Sequence, residues 1–240
     1  MYFKDWKPIY KKIAKDFKFP ESKEKKSAET LKSLLQNKKL KPIKHLKELI
    51  ENKEIIVFGA GSSLDETLIK NKEDFVGKIK ISADGATSAL LKENIWPDII
   101  VTDLDGKISD QLHANLNGSI AIIHAHGDNL KKIQKHVPEF KGEIIGTIQI
   151  NPEPYNNIHN FGGFTDGDRA VFLAAHFKAK KIYLAGFDFT GKIGTYSFSN
   201  KKDKTIKLKK LEWCKKLIEL LNEKNHNIEH LKIYNNYQLL

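Results

Sequence analysis

The 240-residue chain has little of several things: one cysteine (Cys214), one methionine and one arginine (Arg169). A single cysteine excludes an internal disulfide framework and a cysteine-built zinc cage. No apolar run approaches the roughly 18–20 residues of a membrane helix, and stretches such as Glu54-Ile-Ile-Val-Phe58 are strand-sized. Lys4, Asp5 and Lys7 stand where a signal peptide has its apolar segment, so a cytoplasmic protein with no membrane partner is expected. The scarcity of arginine also bears on the net charge of +11. A nucleic-acid groove mixes arginine with exposed aromatics, which this chain does not do, so no nucleic-acid partner is expected. The surplus is nine in residues 1–53 and five in 200–224, whereas 54–199 is net −3. The basic ends then read as solvated helix faces, and the functional centre as acidic.

Hydrophobic residues at 40% suit a soluble core, and two textures follow one another along the chain. In residues 1–53, Trp6, Ile9, Tyr10, Ile13 and Phe17 recur at helical steps, as do Leu31, Leu34, Leu35, Ile43, Leu46, Leu49 and Ile50. Pro20 with the charged stretch 21–26 reads as a break, and Pro42 as another. This helical extension, with apolar faces, is expected to cap the protein or to make a homodimer. From residue 54 to 240, Ile- and Val-rich runs alternate with helical segments. Strands are expected at 55–58, 79–82, 99–102, 120–124, 144–148, 182–185 and 231–234, with helices near 63–71, 85–94, 109–116, 128–136, 166–178 and 205–223. Apolar strands without polar alternation belong in a parallel sheet covered on both faces, here a doubly wound α/β fold.

In such a sheet, ligands sit beyond the carboxyl ends of the strands. The strand ends carry Gly59-Ala-Gly61-Ser62-Ser63, Asp84-Gly85, Asp103-Leu-Asp105, His124-Ala-His126-Gly-Asp128, Thr165-Asp166-Gly-Asp168-Arg169 and Gly186-Phe-Asp188: seven aspartates among glycines. Residues 59–63 lack the third glycine of a dinucleotide fingerprint. They suit either a phosphate held at a helix start or a plain strand-to-helix turn. Asp103 and Asp105, with Asp84 nearby, suit a hard cation such as Mg²⁺, or simply cap backbone N–H groups. Arg169 offers a fork for phosphate, or an internal pair with Asp166 or Asp168. His124 and His126 lack the partners of a zinc site and suit hydrogen bonds to substrate. Cys214 reads as core; Lys207, Lys209 and Lys210 are within reach of a polyphosphate, although a solvated face is the plainer reading.

The runs Ala83-Asp84-Gly85-Ala86, Trp96-Pro97-Asp98 and Thr102-Asp103-Leu104-Asp105-Gly106 resemble the thiamine pyrophosphokinase pattern. His124-Ala-His126-Gly127-Asp128, Phe161-Gly162-Gly163-Phe164-Thr165-Asp166-Gly167-Asp168-Arg169 and Ala185-Gly186-Phe187-Asp188-Phe189 resemble the archaeal-type 6-hydroxymethyl-7,8-dihydropterin pyrophosphokinases, which share that fold. The resemblance covers about residues 54–220. It implies ATP- and Mg²⁺-dependent transfer of diphosphate to the pterin hydroxymethyl group with release of AMP, in tetrahydromethanopterin or folate biosynthesis. It places Mg²⁺ on Asp103 and Asp105, with Asp84 and either Asp166 or Asp168 completing the shell directly or through water. ATP falls to Gly59, Gly61, Ser62, Ser63, Asp84, Gly85, Arg169, Gly186 and Asp188. Asp128 or His126 would orient the hydroxyl, and Phe161, Gly162, Gly163, Phe164, Thr165 and His124 would meet the pterin. A thiamine acceptor is an alternative, although those enzymes usually carry a further C-terminal β-domain and only a helix and one short strand are expected after Asp188. A metal-dependent glycosyltransferase using a nucleotide sugar, and a non-catalytic nucleotide sensor, are two more.

Overall fold

The structure, a computed structural model, describes residues 1–189, 194–197, 204–224 and 226–231. Eight strands form one parallel sheet: β1 (Glu54–Phe58), β2 (Ile79–Ala83), β3 (Ile99–Thr102), β4 (Ile120–Ala125), β5 (Ile144–Ile148), β6 (Ile158–His159), β7 (Lys181–Ala185) and β8 (Ile228–His230). Their spatial order is β6-β5-β4-β3-β2-β1-β7-β8, so the winding reverses between β1 and β7. Both faces are buried. Ile55 and Val57 point into one apolar cluster, Ile56 and Phe58 into another, as the two-residue period of a strand requires.

The helices are α1 (Phe3–Phe17), α2 (Glu21–Leu35), α3 (Ile43–Ile50), α4 (Leu64–Lys70), α5 (Ala86–Lys92), α6 (Ile108–Leu116), α7 (Leu130–His136), α8 (Asp166–His176) and α9 (Lys204–Glu223). Three of the sequence expectations need correction. Residues 21–26 are not a break but the first turns of α2, where Glu21 and Glu24 suit the positive end of the helix dipole. The two-residue β6 was not expected, being too short to show a period. The last strand lies at Ile228–His230 rather than 231–234, of which 232–234 are outside the described residues.

The N-terminal helices are built into the sheet's own layers. Trp6 and Ile13 of α1 and Leu46 and Ile50 of α3 join the cluster made with α8, while Ala28, Leu31 and Leu35 of α2 join the opposite one. The apolar faces read in sequence as a cap or dimer contact are thus filled by this chain's own core. Phe19 and Pro20 carry the chain from one face of the sheet to the other, and Leu40 pairs with Ile144 at the start of β5.

Candidate active site

The carboxyl ends of the strands open into a cavity of about 720 Å³. Its centre is a carboxylate triad: single oxygens of Asp84, Asp103 and Asp166 all lie within 4.8 Å of one another. Each arrives from a different element. Asp84 follows β2 in a left-handed conformation (φ 42°), and its Oδ1 accepts from the Thr102 hydroxyl at 2.7 Å and from Gln111 Nε2 at 2.9 Å. Asp103 follows β3; its Oδ1 is buried and has no hydrogen-bond partner among the described residues. Asp166 begins α8, and its Oδ1 accepts from Arg169 Nη1 at 3.2 Å.

Three carboxylates this close cannot all carry charge cheaply in a low-dielectric site. Burial, then the charge of Asp103, pushes Asp84 up to about 7. The same two causes raise Asp166 well above the usual carboxylate range, against the pull of Arg169. For Asp103, burial is outweighed by His126 and by the charges of Arg169 and Lys210, so it is held below that range. His126 Nε2 lies 3.3 Å from Asp103 Oδ2 and must carry the proton, since a carboxylate only accepts; His126 Nδ1 accepts from the Asp128 amide at 3.3 Å. Hard oxygen donors, mutual repulsion and an unpartnered buried oxygen all fit a divalent cation.

Cations surround the triad. The guanidinium of Arg169, 7% exposed, is gripped by Asp166 and, at 3.4 Å, by Gln149 Oε1; its Nε is buried without a partner among the described residues. Lys132, Lys207 and Lys210 also line the cavity. Burial pulls Lys132 down, but the ion pair with Asp105 and the charges of Asp103 and Asp84 raise it overall. Lys209 turns away to Asp16 at 2.7 Å. Two of the three helix lysines that read as solvated surface therefore face the cavity.

Other expected residues are redistributed. Asp105 also lines the cavity, but it is exposed and tied to Lys132, one residue beyond the buried Leu104, and stands outside the triad. Asp168 is not part of the triad: its carboxylate accepts from the amides of Phe164 and Thr165 and from the Thr165 hydroxyl at 2.8 Å, closing a capping box on α8. Gly59, Gly61, Gly85, Gly186, Asp188, His126, Asp128, Phe164 and Thr165 line the cavity; Ser62 and Ser63 do not. Two of the N–H groups expected to meet phosphate are already bonded: Gly61 N donates to Gly186 O at 2.9 Å and Ser63 N to Asp188 Oδ2 at 2.7 Å. Residues 59–63 thus form a tight turn.

Phe161 lies outside the lining, packed among His159, His176 and Phe177. Gly163, at φ 89°, lets the loop close on α8; a Cβ there would meet Arg169 Cα at 2.6 Å. Gly162 takes a similar conformation and also stands back from the cavity. His124 sits behind the wall, its Nδ1 3.1 Å from Thr147 Oγ1. Burial, then the charges of Arg169 and His126, lowers its ring well below the usual range. Cys214 is buried as expected, although at the cavity's edge. Sequence reading missed Phe19 and Lys132, which reach the cavity from elsewhere in the chain, while Gln149 lines it from the end of β5.

An open parallel sheet with carboxylates and cations converging beyond its strand ends defines a doubly wound α/β protein with a charged strand-end site. Residues 28–194 match the family model described as 6-hydroxymethylpterin diphosphokinase MptE-like. Among curated proteins, the 6-hydroxymethyl-7,8-dihydropterin pyrophosphokinase of Methanocaldococcus jannaschii is 46% identical, over 97% of this chain and 100% of its own. The proteins of that name from Pyrococcus furiosus (44%; 92% of this chain, 94% of theirs) and Methanothermobacter thermautotrophicus (41%; 93% and 96%) are similar throughout. The chain belongs to the 6-hydroxymethylpterin diphosphokinase MptE-like family. A MAf glycosyltransferase structure from Magnetospirillum magneticum aligns with 71% of this chain and 28% of its own at TM-score 0.48 and 14% identity.

Proposed function

We propose that the chain transfers diphosphate from ATP to the hydroxymethyl group of 6-hydroxymethyl-7,8-dihydropterin, with Mg²⁺ as cofactor and AMP as the second product. The observation that carries this reading is the triad of Asp84, Asp103 and Asp166 facing Arg169, Lys132, Lys207 and Lys210 in one cavity. The family supplies the acceptor, and the charge pattern suits a polyphosphate.

Asp84, Asp103 and Asp166 would hold the Mg²⁺, which when bound offsets phosphate charge and aligns the diphosphate oxygens. Phosphoryl-group transfer asks a protein mainly for placement and charge compensation. Arg169, fixed on two sides, presents its fork to the diphosphate, and Lys207 and Lys210 offset the charge left on AMP. Phe19 and Phe164, with ring centroids 6.1 Å apart and planes tilted 47° to one another, offer apolar aromatic surface for the pterin. Both nitrogens of His126 are already hydrogen-bonded, so the exposed Asp128 is the group that accepts the hydroxyl's hydrogen bond. As the hydroxyl oxygen bonds to the β-phosphorus, its proton passes to Asp128. The bond from the β-phosphorus to the α–β bridging oxygen breaks, and its electron pair leaves with AMP.

The direct test measures AMP formed from ATP and Mg²⁺ with the pterin or, separately, with thiamine. AMP formed only with the pterin supports the proposal. AMP only with thiamine moves the acceptor, and none with either overturns the diphosphokinase reading.

A further inference from the structure

Helix α2 is studded with lysine and glutamate that face solvent, yet Glu24 is buried at 3% exposure. A buried carboxylate is costly unless its lone pairs are used. Glu24 uses them on two amides: Oε1 accepts from the Gly127 backbone at 2.9 Å and Oε2 from Gln149 Nε2 at 2.9 Å. Both lie at ends of strands that form the site, Gly127 after β4 and Gln149 after β5. The contact with the β4 loop is close, since a Cβ on Gly127 would meet Lys23 Cβ at 2.9 Å.

The chain of bonds has a direction. With the NH₂ of Gln149 drawn to Glu24, its amide oxygen must face the other way, and there it accepts from Arg169 Nη2 at 3.4 Å. Trp6 Nε1 holds the Gln149 carbonyl at 3.1 Å, so the residue cannot drift. We propose that Glu24 is a positioning residue for the diphosphate transfer. Acting through Gln149, it sets the hydrogen-bonding sense of the contact to Arg169, and through Gly127 it ties the His126 and Asp128 loop to the same frame. The inference rests on the function proposed above, and its test separates the two.

A merely structural buttress would tolerate any polar residue of the same shape, whereas the relay depends on which atoms donate. In Glu24→Gln, an amide oxygen kept on Gly127 leaves the new NH₂ facing the NH₂ of Gln149. Gln149 must then turn and present NH₂ to Arg169, donor against donor. Adding Gln149→Glu restores every bond with the donor and acceptor exchanged. The amide introduced at position 24 donates to the carboxylate introduced at position 149, and that carboxylate also accepts from Arg169.

The experiment compares wild type, E24Q and E24Q combined with Q149E by AMP release, by thermal melting and by NMR after ¹⁵N-arginine labelling. Arg169 is the only arginine, so the spectrum contains one guanidinium. E24Q is expected to lose about 10–100-fold in kcat/KM for ATP and to merge the separate Nη signals into an average; the double variant should recover to within about fivefold and separate the signals again. E24Q within twofold of wild type, or a folded double variant no better than E24Q, overturns the relay. If E24Q does not fold, the double variant decides: separate Nη signals support the relay, and an averaged guanidinium in a folded protein overturns it. A wild type that forms no AMP overturns the functional reading instead, while the Nη signals still report on the relay.

Discussion

The two halves of the cavity are built by different means. Around the switch point between β1 and β7, backbone lies against backbone: a Cβ on Gly61 would fall 2.4 Å from Gly186 O, and Gly186 itself takes φ 68°. Around β2 and β3, by contrast, three carboxylates crowd together with a guanidinium and lysines nearby. The first half is specified by shape and the second by charge. The switch point is the usual ligand position in open α/β sheets. Here the charge lies one and two strands to the side, so under the proposed reaction the nucleotide spans both halves.

The largest break in this contrast is expected from Asp103→Asn, which removes the acid held most firmly ionised. Turnover should fall by about 10³-fold, and Mg²⁺ should no longer raise the melting temperature. Turnover within tenfold of wild type would remove the triad from the chemistry. In the shape half, Gly61→Ala drives a methyl into Gly186 O and the Asp188 carboxylate. A destabilisation of about 1–3 kcal/mol by urea denaturation is expected, together with weaker ATP binding and little change in acceptor KM.

Charge and shape also separate in their response to pH. Asp84, pushed up to about 7, keeps a proton in the folded state that the unfolded chain releases above the ordinary carboxylate range. At Asp84 the folded state then binds more protons, so the contribution of this group to metal-free stability falls as pH rises from about 4 to about 7, with Asp166 acting in the same direction and the buried His124, its ring lowered, acting against them. Cation binding needs the deprotonated triad, so stabilisation by Mg²⁺ should grow over the same window. Melting curves of wild type and Asp84→Asn at both ends of it, with and without the ion, check this; a metal-free difference between the two proteins that does not change with pH contradicts it. Phe19→Ala should raise acceptor KM about five- to tenfold with ATP KM unchanged, since only aromatic contact with the acceptor is lost. The smallest effect belongs to Asp105→Asn, an exposed partner of Lys132, with less than about threefold change in kcat expected.

The architecture was legible where physics is local. Ile- and Val-rich runs located six strands, and aspartate after a strand marked Asp84 and Asp103. Helix phase was the finer problem: Asp166 and Asp168 stand two residues apart, yet one enters the cavity and the other closes the helix start. The spacing from Thr165 to Asp168 carries the capping-box signal that separates them. Phe161 and Phe164 look alike in sequence, and only packing sends one to His176 and the other to the cavity. Phe19 and Glu24 had no local signal, because their roles depend on contacts across more than a hundred residues; Glu24 and Gln149, for example, are 125 positions apart.

The wrapping of α1 and α2 around the sheet also sets an order of events during synthesis. These helices leave the ribosome before the sheet, yet Trp6 hydrogen-bonds 143 residues downstream and packs on Phe172. Their apolar faces must wait, exposed, until β5 and α8 have been made. Late docking across such separations is entropically slow and leaves a sticky intermediate. The same crossing that brings Phe19 to the cavity thus makes the mouth of the site one of the last parts of the molecule to take shape.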